Sequence, residues 1–166
     1  MRVLPIADKG CLDRFDCGNW DINGFAKKLH KWNERNRTKA FTAHEGQAVW
    51  GLGFYSLSVT VEDKRKLGTT EAQVYDFGAP LIYIDALGVR NAYQGQGLGR
   101  MLLIDALRRA HSVAKNVAIY GVALRSLNDR TTAFYEKHGF GKVDDEKNPL
   151  MVVPIWTLED LFEAPA

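Results

Sequence analysis

The stretch Gln94-Gly95-Gln96-Gly97-Leu98-Gly99-Arg100 separates an apolar run from an amphipathic segment, as expected where a strand leads into a helix. At such a junction up to four backbone N–H groups at the start of the helix are unpaired, and the helix dipole adds partial positive charge. Glycine lets this backbone approach a ligand closely, and Arg100 supplies a full charge. The stretch, which we name the glycine loop, predicts a phosphate-binding site.

Two well-known phosphate-binding loops do not match the glycine loop. A P-loop ends in Gly-Lys-Ser/Thr, whereas Gly99 is followed by Arg100-Met101. A dinucleotide-binding loop has Gly or Ala at its sixth position, and after Gly95-x-Gly97 that position is Arg100. Considered alone, the loop leaves a glycine-rich turn without a ligand as the alternative.

The segments around the glycine loop have the patterns of an α/β domain. Leu81 to Val89 is a short apolar run with one acid, Asp85, and predicts a buried strand. After the loop, a helix is predicted by apolar residues at helical spacing, namely Leu98, Leu102, Leu103, Ala106, Leu107 and Ala110. Val117 to Leu124 is apolar and β-branched, and it predicts a further strand.

The C-terminal part predicts a short helix and a last strand. Asn128 to His138 has a helix cap at its start, Asn128 or Asp129, and a helix stop at Gly139. Lys142 to Trp156 predicts a final strand or hairpin.

The N-terminal part predicts one helix followed by strands. Between Asn19 and Trp32 the apolar residues lie on one helical face, and Asn19 or Asp21 is placed to cap its start. Ala48 to Val61 is rich in strand-forming residues, and Lys64 to Gly68 predicts an exposed turn. The whole order of elements indicates an α/β (α+β) domain around one mixed sheet.

Length and composition exclude several classes of protein. With 166 residues, 46% of them hydrophobic and 25% charged, the chain can form its own core, which predicts a single domain over residues 1–166. A disordered tail, a disulfide-rich knot and a collagen-like fibre are excluded.

No apolar run reaches the roughly 18 residues of a transmembrane helix. Cys11 and Cys17 form no CxxC motif and fit a reducing, cytoplasmic location, and the four histidines lack metal-ligand spacing, so we expect no metal.

Two motifs, in order, resemble those of the GNAT N-acetyltransferase superfamily. The pattern Gln94-x-x-Gly97-x-Gly99 after Leu87-Gly88-Val89 is similar to the acetyl-CoA loop of that superfamily. Asn128, followed by Phe134-Tyr135-Glu136-Lys137-His138-Gly139-Phe140, is similar to its second motif. The resemblance implies a GNAT fold, in which two parallel strands of a central mixed sheet splay apart, helices flank the sheet, and acetyl-CoA binds in the gap.

The resemblance also implies roles for individual residues. The pantetheine of acetyl-CoA would pair with backbone at Leu87 and Val89, and the pyrophosphate would lie on the glycine loop. Tyr135 would donate a proton to the departing CoA thiolate, and Asn128 would bond the pantetheine, cap a helix, or do both. The implied cofactor-binding residues are Leu87, Gly88, Val89, Gln94, Gly95, Gln96, Gly97, Leu98, Gly99, Arg100, Asn128 and Phe134.

Acetyl transfer also requires an amine that has lost its proton. Asp85 is a candidate base, and the alternative is an edge carboxylate paired with an arginine. At pH 7 a lysine ε-amine with a pKa of ~10.4 costs about 4.6 kcal/mol to neutralise, whereas an α-amine with a pKa of ~7.7–8.0 costs about 1 kcal/mol. A site without an evident base therefore suits an α-amine better.

The N-terminal half narrows the resemblance to the GNAT toxins of type II toxin–antitoxin modules. The similar stretches are Phe15-Asp16-Cys17-Gly18-Asn19, Ile22-Asn23-Gly24-Phe25 and Gly53-Phe54-Tyr55-Ser56-Leu57-Ser58. The resemblance implies acetylation of the α-amine of aminoacyl-tRNA, which blocks translation. It also implies a cognate antitoxin and a homodimer. The alternatives are an N-acetyltransferase for a small amine or a protein N-terminus that is not a toxin, and a non-catalytic acyl-CoA or RNA-binding module.

The distribution of charge bears on an RNA substrate. The chain has a net charge of only +2, but Lys27 to Lys39 contains six Lys/Arg and one acid, a local net charge of +5. Lys27, Lys31 and Arg35 fall on one helical face, which would hold tRNA phosphates, and the alternative is a solvated basic helix. Further basic residues are Lys64, Arg65, Lys66, Arg90, Arg100, Arg108 and Arg109. The acidic stretch Asp144-Asp145-Glu146 would repel RNA.

Overall fold

The strand that precedes the glycine loop lies inside a seven-stranded sheet in the computed structural model, which describes residues 1–163. The strands are β1 (Arg2–Pro5), β2 (Lys39–His44), β3 (Gly53–Glu62), β4 (Ala79–Val89), β5 (Gly121–Arg125), β6 (Gly141–Lys142) and β7 (Leu150–Pro154). They are hydrogen-bonded in the order β1-β2-β3-β4-β5-β7-β6. The strands β4 and β5 are parallel, whereas β1 with β2, β2 with β3, and β7 with both β5 and β6 are antiparallel. The predicted mixed sheet is confirmed.

The parallel pair at the centre joins Leu81 to Gly121 and Tyr83 to Ala123. Both strands continue past this ladder, β4 to Val89 and β5 to Arg125. The backbone of the second half of β4 leads directly into the residues that precede the glycine loop.

Five α-helices accompany the sheet within residues 1–163. They are α1 (Trp20–Glu34), α2 (Lys64–Leu67), α3 (Leu98–Ala114), α4 (Asp129–Glu136) and α5 (Ile155–Glu163). Short 3₁₀ turns cover Lys9–Leu12, Glu71–Val74 and Asn91–Tyr93.

The predicted helix caps are confirmed because they depend on local chemistry. The Asn19 side chain accepts a hydrogen bond from the Ile22 amide at 3.0 Å at the start of α1. Asn128 accepts from the Thr131 amide at 2.9 Å, and the Thr131 hydroxyl bonds back to the Asn128 amide, which makes a capping box. After α4, Gly139 has a φ of +94°, which only glycine adopts without strain.

Three predicted elements differ from the structure. The strand or hairpin predicted over Ala48 to Val61 is the single strand β3, which begins only at Gly53, because the Ala48 amide bonds to the Glu45 carbonyl at 3.0 Å in a turn. The strand predicted over Val117 to Leu124 begins only at Gly121, because the Val117 amide bonds to the Val113 carbonyl at 2.9 Å and continues the helical turn after α3. The predicted turn Lys64 to Gly68 is the short helix α2, which Asp63 caps by accepting from the Arg65 amide.

The chain forms two compact units, and β3, β4 and α3 each contribute to both. The first unit comprises Met1–Ser58 and Ile84–Ala106, and the second comprises Val59–Tyr83 and the residues from Leu107 onward. In the first unit the core includes Ile6, Cys11, Leu12, Phe15, Ala26, Leu29, Ala40 and Phe54. In the second it includes Ala72, Ala79, Leu81, Tyr120, Ala123, Leu150 and Val152.

Arg90, directly after β4, is buried and holds backbone of the first unit together. Its Nε donates to the Gly51 carbonyl at 2.6 Å, and its Nη2 donates to the carbonyls of Asp13 at 3.0 Å and Cys11 at 3.4 Å. The guanidinium also lies 3.9 Å from the ring centre of Trp50. Burial lowers the pKa of Arg90. Its inclusion among the residues of a basic surface is therefore wrong, since the side chain is 7% exposed.

We expect Arg90→Lys to lower the free energy of unfolding by about 2 kcal/mol, because an ammonium cannot reach all these carbonyls and leaves buried acceptors unpaired. The melting temperature should fall by about 4–8 °C. Arg35→Lys at the exposed end of α1 is the control and should change stability by less than about 0.5 kcal/mol. Equal shifts in the two variants would show that Arg90 does not hold these carbonyls.

Candidate active site

The glycine loop is open on its outer side. Gly95 and Gly97 have φ values of +75° and +82°, so any other residue at either position would be strained. A Cβ at either glycine would meet no other atom within 4 Å. These glycines are required for backbone conformation, and the space beside them is available for a ligand, so the residues present fit a bound pyrophosphate.

The start of α3 follows directly from the loop. The amides of Leu98, Gly99 and Arg100 lie in its first turn, where the helix supplies no acceptor, and the Met101 amide already bonds to the Gly97 carbonyl at 3.1 Å. Leu98 is buried and anchors this turn, while Arg100 is exposed. The geometry therefore leaves amides and one guanidinium free to bind an anion.

The Gln94 side chain bonds to the protein itself, although its residue type suggests a contact with a ligand. Its Nε2 donates to the carbonyls of Val89 and Cys17, each at 2.9 Å, so both amide protons are used within the protein. The side chain thus ties the loop to the end of β4 and to the segment before α1. Its backbone amide donates to the Asn91 carbonyl at 3.3 Å, so the predicted role of Gln94 as a donor to the ligand is not supported by the structure.

The predicted pantetheine-binding segment is the end of β4. Gly88 and Val89 are buried, and Leu87 is half-buried. A Cβ at Gly88 would come within 2.8 Å of the Ile22 side chain and 3.1 Å of the Phe15 ring. Glycine is therefore needed there so that the elements of the first unit can pack against the strand.

Asp85, on β4, is held by hydroxyl groups. Thr38 Oγ1 donates to Oδ2 at 2.7 Å, Ser58 Oγ donates to Oδ1 at 2.8 Å, and Ser56 Oγ lies 3.4 Å from Oδ2. Burial raises the pKa of Asp85, while these hydrogen bonds and the charge of Arg37 partly oppose the increase. The alternative of an edge carboxylate paired with an arginine is wrong, because β4 is an interior strand and hydroxyls hold the carboxylate.

The hydroxyls around Asp85 were not among the predicted site residues. Ser56 and Ser58 alternate along β3, and alternation places them on one face of the strand. This alternation of serines is the sequence pattern from which the two hydroxyls could have been predicted. Thr38 has no comparable pattern, because it lies between α1 and β2 and reaches Asp85 only through the fold.

The second unit contains the remaining predicted residues, Asn128, Phe134 and Tyr135. Asn128 is exposed, and its Oδ1 is occupied by the cap of α4, which leaves its Nδ2 as a donor for a ligand. Phe134 packs edge-on against Tyr135 with ring centres 5.2 Å apart, and Phe140 does so at 5.6 Å. Tyr135 is held rigidly by these rings.

The phenol of Tyr135 is kept protonated by its surroundings. The residue is 9% exposed, and burial raises the pKa of Tyr135 to about 12. Among residues 1–163 its hydroxyl has no hydrogen-bond partner. At neutral pH the group is a proton donor whose donor position is open.

The predicted basic face of α1 is exposed. Lys27, Lys31 and Arg35 point to solvent, while Ala26 and Leu29 of the same helix are buried. Within residues 1–163 none of the three forms an ion pair. Their charges are therefore available to a phosphate backbone.

Several other predicted basic residues are engaged within the second unit. Arg65 pairs with Asp63 at 3.0 Å, and Lys66 pairs with Asp144 at 3.0 Å. Arg125 lies 3.6 Å from Asp144 and 3.2 Å from Glu146. The acidic stretch is thus largely compensated by neighbouring cations, which weakens its expected repulsion of RNA.

Each of the four histidines has a structural contact. The contacts are His30 Nδ1 to Glu34 at 3.8 Å, His44 Nε2 to Thr42 Oγ1 at 2.7 Å, His111 Nε2 to Glu163 Oε1 at 3.0 Å, and His138 Nδ1 to the Phe134 carbonyl at 2.8 Å.

The described part of the chain holds no group of three His, Cys, Asp or Glu arranged for a metal ion. It also holds no helix with the length and apolarity needed to span a bilayer.

We expect Asp85→Asn to become increasingly stable relative to the wild type as pH rises above the ordinary Asp pKa of ~3.9. A raised pKa means that protonated Asp85 stabilises the folded state below the ordinary Asp pKa of ~3.9, and that this stability is lost as pH rises through the folded-state pKa. Urea unfolding at several pH values measures the difference. Ser58→Ala removes a bond that lowers the pKa and should steepen the pH dependence of the parent protein. If the stability of Asp85→Asn relative to the wild type stayed constant or fell as pH rose, this account would be contradicted.

Comparison with known proteins agrees with these features. The family model described as acetyltransferase (GNAT) family matches residues 25–140. A tRNA-acetylating toxin of Mycobacterium tuberculosis is 28% identical over 138 residues, which is 81% of each chain.

Solved structures of toxins share the fold over nearly the whole chain. A tyrosine-to-phenylalanine variant of KacT has a TM-score of 0.88 and 29% identity, and the match covers 97% of this chain and 98% of that one. AtaT complexed with acetyl-methionyl-tRNAfMet has a TM-score of 0.84 and 23% identity, with 97% and 98% coverage. Because the family model covers well over half of its residues, the chain belongs to the acetyltransferase (GNAT) family.

Proposed function

We propose that this acetyltransferase is a toxin that transfers the acetyl group of acetyl-CoA to the α-amine of aminoacyl-tRNA and so blocks translation. The observation that carries the proposal is the likeness to a tRNA-acetylating toxin over 81% of the chain. The open glycine loop, the buried phenol and the unpaired basic helix are the three features that such a reaction requires.

The glycine loop and the end of β4 supply the contacts for the acetyl donor. The amides of Leu98, Gly99 and Arg100, together with the Arg100 side chain, bind the pyrophosphate, because they carry positive charge without internal partners. Backbone groups at Leu87 and Val89 pair with the pantetheine, and Asn128 Nδ2 donates to it. Acetyl-CoA supplies an activated acetyl group as a thioester.

Tyr135 assists the departure of the thiolate. The nitrogen lone pair forms the new C–N bond, the C–S bond breaks, and the phenol proton moves to the sulfur. Full transfer from a phenol of pKa about 12 to a thiolate of pKa ~8.5 is uphill by about 5 kcal/mol. Tyr135 therefore acts first as a hydrogen-bond donor to the developing charge, which contributes about 1.5–3 kcal/mol. The proton that the acetylated nitrogen releases then passes through water to the phenolate and restores the phenol.

The acceptor amine needs little help to lose its proton. An α-ammonium at neutral pH costs about 1 kcal/mol to neutralise. A strong base is therefore not needed, and the two oxygens of Asp85 already accept hydrogen bonds from Thr38 and Ser58. The hydroxyl contacts favour a role for Asp85 in shaping the first unit over a role as a strong base.

Protein partners belong to the same proposal. AtaT has been solved with the C-terminus of the antitoxin AtaR, and KacTA has been solved with DNA. We propose by likeness that this chain has a cognate antitoxin, acts as a homodimer and functions in the cytoplasm.

We expect Tyr135→Phe to reduce kcat/KM for acetylation of total charged tRNA by roughly 10²- to 10⁴-fold, because it removes the donor to the thiolate. Acetyl-CoA affinity, measured by calorimetry, should stay within about threefold of the wild type. Tyr75→Phe is the control, since Tyr75 packs against the core of the second unit, and it should retain activity. The readout is the mass of the aminoacyl group released from tRNA. Wild-type protein that acetylates a polyamine or a peptide N-terminus but no charged tRNA would refute the proposed substrate.

We expect Gly97→Asp to weaken acetyl-CoA binding by at least roughly 30-fold. It strains a backbone with φ of +82° and places a negative charge beside the pyrophosphate. Gly46→Asp is a matched control, because Gly46 has a φ of +53° and equally open surroundings but lies on another turn of the first unit. Calorimetry that found equal losses in the two variants would reject the loop as the phosphate site.

A further inference from the structure

The first residue of α1 presents an indole to solvent. Trp20 is 86% exposed, which is unusual for the largest side chain in proteins. No ring or cation contact is made by Trp20 among residues 1–163. By contrast, the Trp32 ring of the same helix is stacked by the Arg37 guanidinium at 3.9 Å and packs edge-on against Phe25 at 4.8 Å. The Trp20 ring is thus the unpartnered aromatic surface of this helix.

The same helical face carries the available positive charge. At about 100° per residue, Lys27 and Lys31 lie roughly 20° to either side of Trp20, and Arg35 lies roughly 60° away. Along the axis they follow Trp20 at about 10, 16 and 22 Å. The acids of α1 are Asp21, which directly follows Trp20, and Glu34, whose carboxylate lies 3.8 Å from His30 Nδ1.

The chemistry of this face favours a nucleic acid over a protein. The cores of protein interfaces are depleted of lysine and rich in apolar side chains, whereas the neighbours of Trp20 on this face are Gly24, Lys27 and Lys31. A row of unpaired cations beside an exposed aromatic ring is how proteins bind single-stranded nucleic acid, since phosphates meet the cations and a base stacks on the ring.

We propose that Trp20 stacks on an unpaired base of the RNA whose phosphates are bound by Lys27, Lys31 and Arg35. The inference rests on the proposed tRNA substrate and names the kind of RNA segment that this face recognises. A base inside a duplex is already stacked on its neighbours, so the indole selects a single-stranded segment. Aminoacyl-tRNA carries its amino acid on such a segment.

The test measures binding of uncharged total tRNA, so it needs no catalysis. Trp20→Ala should raise the Kd by about 5- to 150-fold, the effect of losing one base–aromatic stack. Trp20→Phe should lose less affinity and should abolish the tryptophan fluorescence change that accompanies tRNA binding. Binding of a blunt RNA duplex should be the same for wild type and Trp20→Ala.

Salt dependence separates stacking from charge. Lys27→Gln or Lys31→Gln should each reduce the slope of log Kd against log salt concentration by about 1. Trp20→Ala should leave that slope unchanged, because an indole displaces no counterion. The combined change of Lys27, Lys31 and Arg35 to Glu should abolish tRNA binding and spare acetyl-CoA binding.

Phe77→Ala is the matched control, because Phe77 is 97% exposed but lies outside α1, and it should leave the Kd for tRNA unchanged. Unchanged tRNA affinity in Trp20→Ala would overturn the inference. So would a Trp20→Ala variant that alters only self-association in sedimentation, which would make the indole a contact between copies of the chain. If the wild type acetylates charged tRNA while Trp20→Ala binds tRNA normally, the proposed function stands and the inference alone fails. Wild type that neither binds nor acetylates tRNA would refute the proposed function itself.

Discussion

The candidate anion site of the first unit depends on the unpaired backbone amides at the first turn of α3. An α-helix cannot satisfy its first N–H groups, and here Leu98 is buried so that the turn is anchored while Arg100 stays in solvent. Two glycines with positive φ bring the chain into that turn. The amides of this turn therefore carry positive partial charge at one place, which favours the binding of an anion.

The surrounding polar side chains serve mainly to hold this backbone. Gln94 donates both amide protons to carbonyls, and Arg90 donates to three carbonyls from a buried position. Buried carbonyls need partners, and without these side chains the turns before α1 and after β4 would leave several of them unpaired. The side chains of Gln94 and Arg90 are of types that often contact ligands. Here they bind backbone carbonyls and hold the turns next to the glycine loop.

The proposed chemistry does not rely on a strong base. Neutralising an α-amine at pH 7 costs only about 1 kcal/mol, so the proposed acetyl transfer gains more from help to the departing thiolate than from a strong base. A buried phenol with a pKa of about 12 remains protonated over the whole physiological range. In the proposed reaction, burial of Tyr135 keeps a proton donor available at every pH at which the amine can attack.

Much of the fold and of the candidate site could be predicted from the sequence because the signals are local. Asn19 and Asn128 cap helices with their own side chains, and Gly97 and Gly139 mark positive φ within a few residues of their helices. The short strand β1 and the strand β2 were not predicted, because β1 has only four residues, none of them buried, and β2 begins inside a run of basic residues. Their pairing, and not their pattern, makes them strands.

The sequence by itself determined the glycine loop, the motif around Tyr135 and the excess of positive charge between Lys27 and Lys39, since each is written in consecutive or periodically spaced residues. Only the tertiary structure decided which charges are available: Arg90 is buried among carbonyls, whereas Lys27 and Lys31 are exposed. It also decided the surroundings of Asp85, where hydroxyls from β3 and from the segment before β2 meet a carboxylate on β4. The physical reason is that burial and hydrogen bonding depend on which distant segments the sheet order brings together, and no local pattern records that order.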